Sequence, residues 1–189
     1  QDATWVGLQP TPQETWFLTA LNMDLYSGLS GVALFLAYLG AVTAQERYTN
    51  LAKATLTTIR RQIEQNQSLP YIGAFDGWGG IIYTLSHLSR LWNQPTLLTE
   101  AEKIISHLPE LIKKDEQFDI IGGTAGCIGS LIALYRCAPS DRILDVAIQC
   151  GEHLISSAQP MKNGVAWSSK TSNAAPLAGY SHGAAGIAW

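Results

Sequence analysis

Charge is the first thing this sequence is short of. Asp, Glu, Lys and Arg make up only 14% of its 189 residues, and 12 basic against 15 acidic residues leave a formal net charge of −3. Soluble domains usually carry about 25% charged residues. Without a basic excess, a broad footprint for nucleic acid or an anionic membrane is excluded. Long hydrophobic runs are missing too. The longest, Val32 to Ala44, has about 13 residues, against roughly 20 needed to cross a bilayer. The first ten residues lack the basic start and apolar centre of a signal peptide. Cysteine is sparse: Cys127, Cys137 and Cys150 are odd in number and fit no disulfide framework, zinc knuckle or Cys-x-x-Cys pair. Reduced core thiols in a cytoplasmic protein are the expectation. His87, His107 and His153 make no His-x-x-x-His or His-Glu-x-x-His metal pattern. They read as solvated or satisfied polar residues, and Trp78 and Trp92 as packing groups.

Apolar residues and glycine are plentiful, at 47% hydrophobic residues and 17 Gly. That excludes disorder and supplies a sizeable core. The glycines are patterned. A Gly-x-x-Gly followed by an apolar residue occurs at Gly28–Gly31, Gly77–Gly80, Gly123–Gly126 and Gly183–Gly186. The first glycines lie 49, 46 and 60 residues apart. No Lys-Ser/Thr follows any copy, so none is a phosphate loop. Each opens an apolar helix: Val32–Tyr38, Ile81–Leu91, Cys127–Tyr135, and a short one at Ile187–Trp189. Between them run amphipathic stretches with helical periodicity. These are Tyr48, Leu51, Ala52, Leu56, Ile59 and Ile63; then Leu97 to Leu108; then Leu144 to Ala158. Pro95 and Pro139 punctuate the second and third.

The repeat unit is an apolar helix, a turn, an amphipathic helix and a return loop. This predicts an all-α fold, an α/α toroid of two-layer helical hairpins. The apolar helices are inner and buried on both sides, and the amphipathic ones lie outside. Three complete pairs and the start of a fourth predict a partial ring of about four inner helices. Its layout is an entry segment 1–27, hairpin repeats 28–182 and a truncated inner helix 183–189. The entry segment includes a short helix around Pro12–Leu21. The loop 159–182 includes a short strand at Val165–Trp167. The start at Gln1 and the apolar helix cut short at Trp189 predict a piece of a longer chain. Inner helices left without neighbours predict self-association.

Small residues at the inner-helix starts let backbones converge. They are expected to leave room for a substrate and to expose free amide N–H groups. His182, directly before Gly183, sits at such a start and is a candidate base, hydrogen-bond partner or metal ligand. Asp119, four residues before Gly123 in Phe118-Asp-Ile-Ile-Gly-Gly, is flanked by apolar residues and stands apart from a solvated Asp, with turn or cap chemistry as the alternative reading. Asp24 holds the matching place before Gly28 and reads as a turn former. Asp76 reads as a helix N-cap.

Together these residues resemble the LanC-like lanthionine cyclases. Tyr180-Ser-His-Gly-Ala-Ala-Gly-Ile-Ala188 is similar to the family's Ser-His-Gly-x-x-Gly-Ile signature, and Phe118-Asp-Ile-Ile-Gly-Gly-Thr-Ala-Gly126 to its Asp-x-x-x-Gly-x-x-Gly element. Asp24-Leu-Tyr-Ser-Gly28 through Leu39, with the upstream Trp5-Val-Gly7, looks like the N-terminal portion of the cyclase domain of LanM-type, class II synthetases. The resemblance implies a parent enzyme of lanthipeptide (lantibiotic) biosynthesis. That enzyme adds Cys thiols of a ribosomal precursor peptide to dehydroalanine or dehydrobutyrine. The resemblance gives His182 the acid/base role and makes Asp119 its partner. It also implies a zinc ion in the parent, held by a Cys/Cys/His set in motifs expected beyond Trp189. This chain alone is therefore expected to bind no zinc and to be inactive. Two other readings stay open. One is a six-hairpin glycosidase, with Asp76 and Asp119 as paired carboxylates. The other is a non-catalytic helical-repeat module that binds peptides.

Overall fold

The computed structural model describes residues 2–10, 15–65, 69–169 and 175–189. It divides into two compact units, Gln1–Ser68 and Leu69–Trp189. Helices dominate both, as the glycine and apolar periodicities predict.

The first unit opens with an antiparallel hairpin of β1 (Val6–Pro10) and β2 (Trp16–Ala20), with Leu8 opposite Leu18 and Pro10 opposite Trp16. The helix expected around Pro12–Leu21 is thus corrected to a strand over its second half. Trp16, Phe17 and Thr19 favour an extended backbone. Pro12 itself lies outside the described residues. Helix α1 (Leu29–Thr43) follows and packs on α2 (Glu46–Glu64). The turn between them is made by Ala44, in the left-handed region at φ 53°. Helix α2 buries Ala52, Thr55, Leu56 and Ile59, the three- and four-residue steps of one helical face. Helix α1 buries Leu29, Ala33, Leu36 and Ala37, while Phe35, Tyr38 and Val42 are exposed, as expected of an inner helix at the end of an arc.

The second unit carries α3 (Trp78–Trp92), α4 (Thr96–Ile105), α5 (Leu108–Ile112), α6 (Thr124–Cys137), α7 (Asp141–Ser157) and α8 (Ala184–Ala188). Helix α3 has ten buried residues and packs on α4 and α6, and α6 packs on α7. This is the two-sided burial expected of an inner helix. The amphipathic stretch Leu97–Leu108 is two helices, not one. Pro109 lies in the first turn of α5, where its missing N–H costs nothing; inside a longer helix it would clash with the preceding turn. Helix α7 is capped by Ser140, whose Oγ accepts from Ile143 N–H at 3.4 Å. The expected strand near Val165 is β4 (Gly164–Ala166), paired with β3 (Gln159–Met161). Trp167 Nε1–H then donates to the Leu154 carbonyl at 2.8 Å, fastening this hairpin's exit to α7.

Candidate functional site

All four first glycines of the repeats, Gly28, Gly77, Gly123 and Gly183, are helix N-caps. Their backbones nearly superimpose, with φ from −108° to −141° and ψ from −169° to −174°. This is extended backbone open to any residue, so the need for glycine is spatial. A Cβ on Gly183 would stand 2.5 Å from the Leu177 carbonyl carbon and 2.7 Å from Gly179 N. One on Gly126 would stand 2.5 Å from Ala74 N and 2.8 Å from the Ile120 carbonyl carbon. The preceding loop folds back over each helix start, leaving no room for a side chain.

That wrapping overturns one expectation. The first-turn amides are not free for a ligand. Leu29 N–H donates to Asn22 O at 2.7 Å, Trp78 N–H to Tyr71 O at 3.2 Å, Ala125 N–H to Phe118 O at 3.1 Å and Ala184 N–H to Leu177 O at 2.9 Å. In each case the acceptor lies seven residues upstream. The loop carbonyls satisfy the helix N-terminus, so the glycines serve packing and not anion binding. Asp76 is corrected too: the N-cap of α3 is Gly77, and Asp76 N–H donates to the Ile121 carbonyl at 3.0 Å.

The loops differ in their side chains. Asp24 Oδ1 accepts Ser27 N–H at 2.7 Å, and its Oδ2 lies 3.4 Å from Ser27 Oγ. It closes its own turn, as read from the sequence. Asp119 makes the same first bond, Oδ1 accepting Gly122 N–H at 2.8 Å. Its Oδ2, however, accepts from His182 Nδ1 at 2.7 Å. The two candidate residues are brought together. Asp119 is 6% exposed at its side chain and His182 57%. A buried carboxylate therefore grips the inner nitrogen of a ring whose other edge is open to solvent. Since a carboxylate only accepts, Nδ1 carries a proton, and Nε2 lies on the ring edge away from Asp119. Beneath the pair, Ile120, Ala125 and Leu154 form a core onto which Phe118, Ile128 and Ile187 pack. Ile187 lies on α8, so apolar packing holds the two loops at a fixed separation.

The remaining candidates are elsewhere. His87 is half-buried on α3 with its ring 4.2 Å from that of Tyr83. Burial, and then the Arg90 charge, hold its pKa below the ordinary imidazole value. His107 is exposed before α5. His153 Nε2–H donates to the Asp115 carbonyl at 2.9 Å and stacks on Phe118 at 5.6 Å between centroids. Cys127 and Cys150 are buried free thiols. The hydrogen bond to Cys150, and then burial, push the Cys127 thiol well above its ordinary value. Among the described residues, no three His, Cys, Asp or Glu side chains gather as a metal requires, and no helix is long and apolar enough to cross a membrane.

The sequence reading missed Asp115. Its buried carboxylate accepts Gln117 N–H at 3.0 Å, Phe118 N–H at 3.2 Å, Thr124 N–H at 2.8 Å and the Thr124 hydroxyl. In the polar run Lys113-Lys-Asp-Glu-Gln117 it looks like a solvated helix end. Only the closure of a nine-residue loop turns it inward.

Helical hairpins whose inner helices start at wrapped glycines, one start presenting an Asp-held His, define a protein of the α/α-hairpin repeat class. Within that class the chain belongs to the lanthionine synthetase C-like family, whose model matches residues 19–189. Its hairpins are the units of the α/α toroid expected from the sequence. No match is found among curated proteins.

Proposed function

We propose that the chain supplies the proton-transfer half of a lanthionine-forming cyclase domain, of the LanM type. The observation that carries this is the 2.7 Å bond from His182 Nδ1 to Asp119 Oδ2, made inside a family whose name is that of the reaction. The substrate would be a dehydrated, ribosomally made precursor peptide. Its Cys sulfur adds to the β-carbon of dehydroalanine or dehydrobutyrine, forming the thioether bond. The electron pair of the alkene moves toward the α-carbon and carbonyl, and that carbon must gain a proton.

His182 fits this task. Nε2 takes the thiol proton, Asp119 stabilises the resulting imidazolium, and Nε2–H returns the proton to the α-carbon, so the ring ends as it began. Apolar packing below Asp119 keeps the carboxylate dry and the ring in one tautomer. The described residues do not fit the zinc ion implied for the parent enzyme, and no proton step is assigned to it. That ion and its Cys/Cys/His ligands are proposed to belong to the parent, and the present chain alone to form no rings. A cytoplasmic setting is proposed from the free thiols.

The test is thioether formation by the parent enzyme on dehydrated precursor peptide. His182→Ala is expected to slow cyclisation by about 10²–10⁴-fold. Wild-type ring formation by that variant would sink the assignment.

A further inference from the structure

Outside the left-handed residues that end helices α1 and α3, Phe118 is the one non-glycine residue with positive φ among the described residues, at 63°. A bulky side chain there costs backbone energy and persists only where its surroundings over-determine it. Three contacts do so. Phe118 N–H is held by Asp115 Oδ2, its ring stacks on His153, and His153 in turn bonds the Asp115 carbonyl. The next residue in the chain is Asp119.

Asp115 fixes both flanks of the Asp119 turn. One oxygen takes Gln117 N–H. The other takes Phe118 N–H before the turn, and the amide and hydroxyl of Thr124, the first residue of α6, after it. Three backbone N–H groups and one hydroxyl converge on this one buried carboxyl group, whose two oxygens serve as their acceptors. Asp119 is strung between these anchors. Its own Oδ1 bond to Gly122 N–H leaves Oδ2 as the oxygen facing His182.

We propose that Asp115 is a positioning residue for the His182–Asp119 pair. By gathering the 117, 118 and 124 donors it imposes the left-handed turn at Phe118 and so aims Asp119 Oδ2 at Nδ1. This rests on the proton-transfer reading above, in that the pair is what matters for function. Asp115 touches neither the ring nor any substrate, and it acts through Asp119.

The experiment reads the tautomer of His182 by imidazole ¹⁵N shifts in the full chain, at a pH where the ring is neutral, and needs no turnover. Wild type should show mainly the Nδ1–H form, and Asp119→Asn should lose that preference. Asp115→Asn places an amide NH₂ among N–H donors and should move the tautomer ratio at least half-way to the Asp119→Asn value. Should that variant not fold, Thr124→Val should shift the ratio in the same direction and Thr124→Ser should restore it. A folded Asp115→Asn with the wild-type ratio, or a Thr124→Val indistinguishable from Thr124→Ser, overturns the positioning role alone. If Asp119→Asn itself leaves the ratio unchanged, the pairing fails and both readings fall with it.

Discussion

His182 and Asp119 stand 63 residues apart in the chain and 2.7 Å apart in space. One is mostly exposed and the other almost wholly buried. The asymmetry suits proton transfer, because the carboxylate orients and the ring reaches out. Asp119→Asn in the parent enzyme should keep the fold, since an amide can still accept from Gly122 N–H, but it should lower the cyclisation rate by about 10²-fold or more. Single-turnover kinetics on a dehydrated peptide would check it, and an unchanged rate would remove Asp119 from the mechanism.

Glycine positions should separate into two classes. At Gly126 and Gly183 an added methyl meets backbone, so alanine should destabilise by about 1–3 kcal/mol. At Gly129 and Gly151, within α6 and α7, a Cβ meets nothing within 4 Å. Alanine there should stabilise by about 0.5–1 kcal/mol. Urea denaturation of the four variants tests both signs.

Thiol reactivity should follow burial. Iodoacetamide on the native chain should modify the half-buried Cys137 first and spare Cys127 and Cys150 until unfolding. The Cys127 pKa is raised in the fold, so the folded state holds its proton longer. The associated stability is complete below the ordinary thiol range and is lost as pH rises through and above it. Cys127→Ala should flatten that alkaline loss in thermal melts at successive pH values, whatever its offset in Tm.

The acid side should carry the opposite signature. His87 resists protonation because of burial and then Arg90. Its contribution is present above the ordinary imidazole range and is lost as pH falls through that range. His87→Gln should reduce the slope of stability against pH there. An identical slope in both proteins would show that His87 is not the source.

The helix starts and the hairpin repeat were legible because they depend on local spacing, whereas the pairing of Asp119 with His182, 63 residues apart, came only from the resemblance that two separate motifs carry. Gly28, Gly77, Gly123 and Gly183 punctuate their helices wherever the rest of the chain goes. The strand Trp16–Ala20 was not legible as such. Leu18 and Ala20 blur the extended preference of Trp16, Phe17 and Thr19, and pairing with Val6–Pro10 completes the strand. The break before α5 did carry a signal, Pro109, which the continuous apolar period obscured. Asp115 carried none. Its partners lie two to nine residues downstream and meet it only once the loop closes.

The wrapped loop has a consequence for design. In all four repeats a different residue stands just before the N-cap glycine: Ser27, Asp76, Gly122 and His182. The socket is constant and its occupant varies. Ser27 sits over an Asp24 that already makes the backbone bond Asp119 makes. The side chain at this position is one that the recurring wrapped start leaves free to vary, and such a mount could be refitted one side chain at a time.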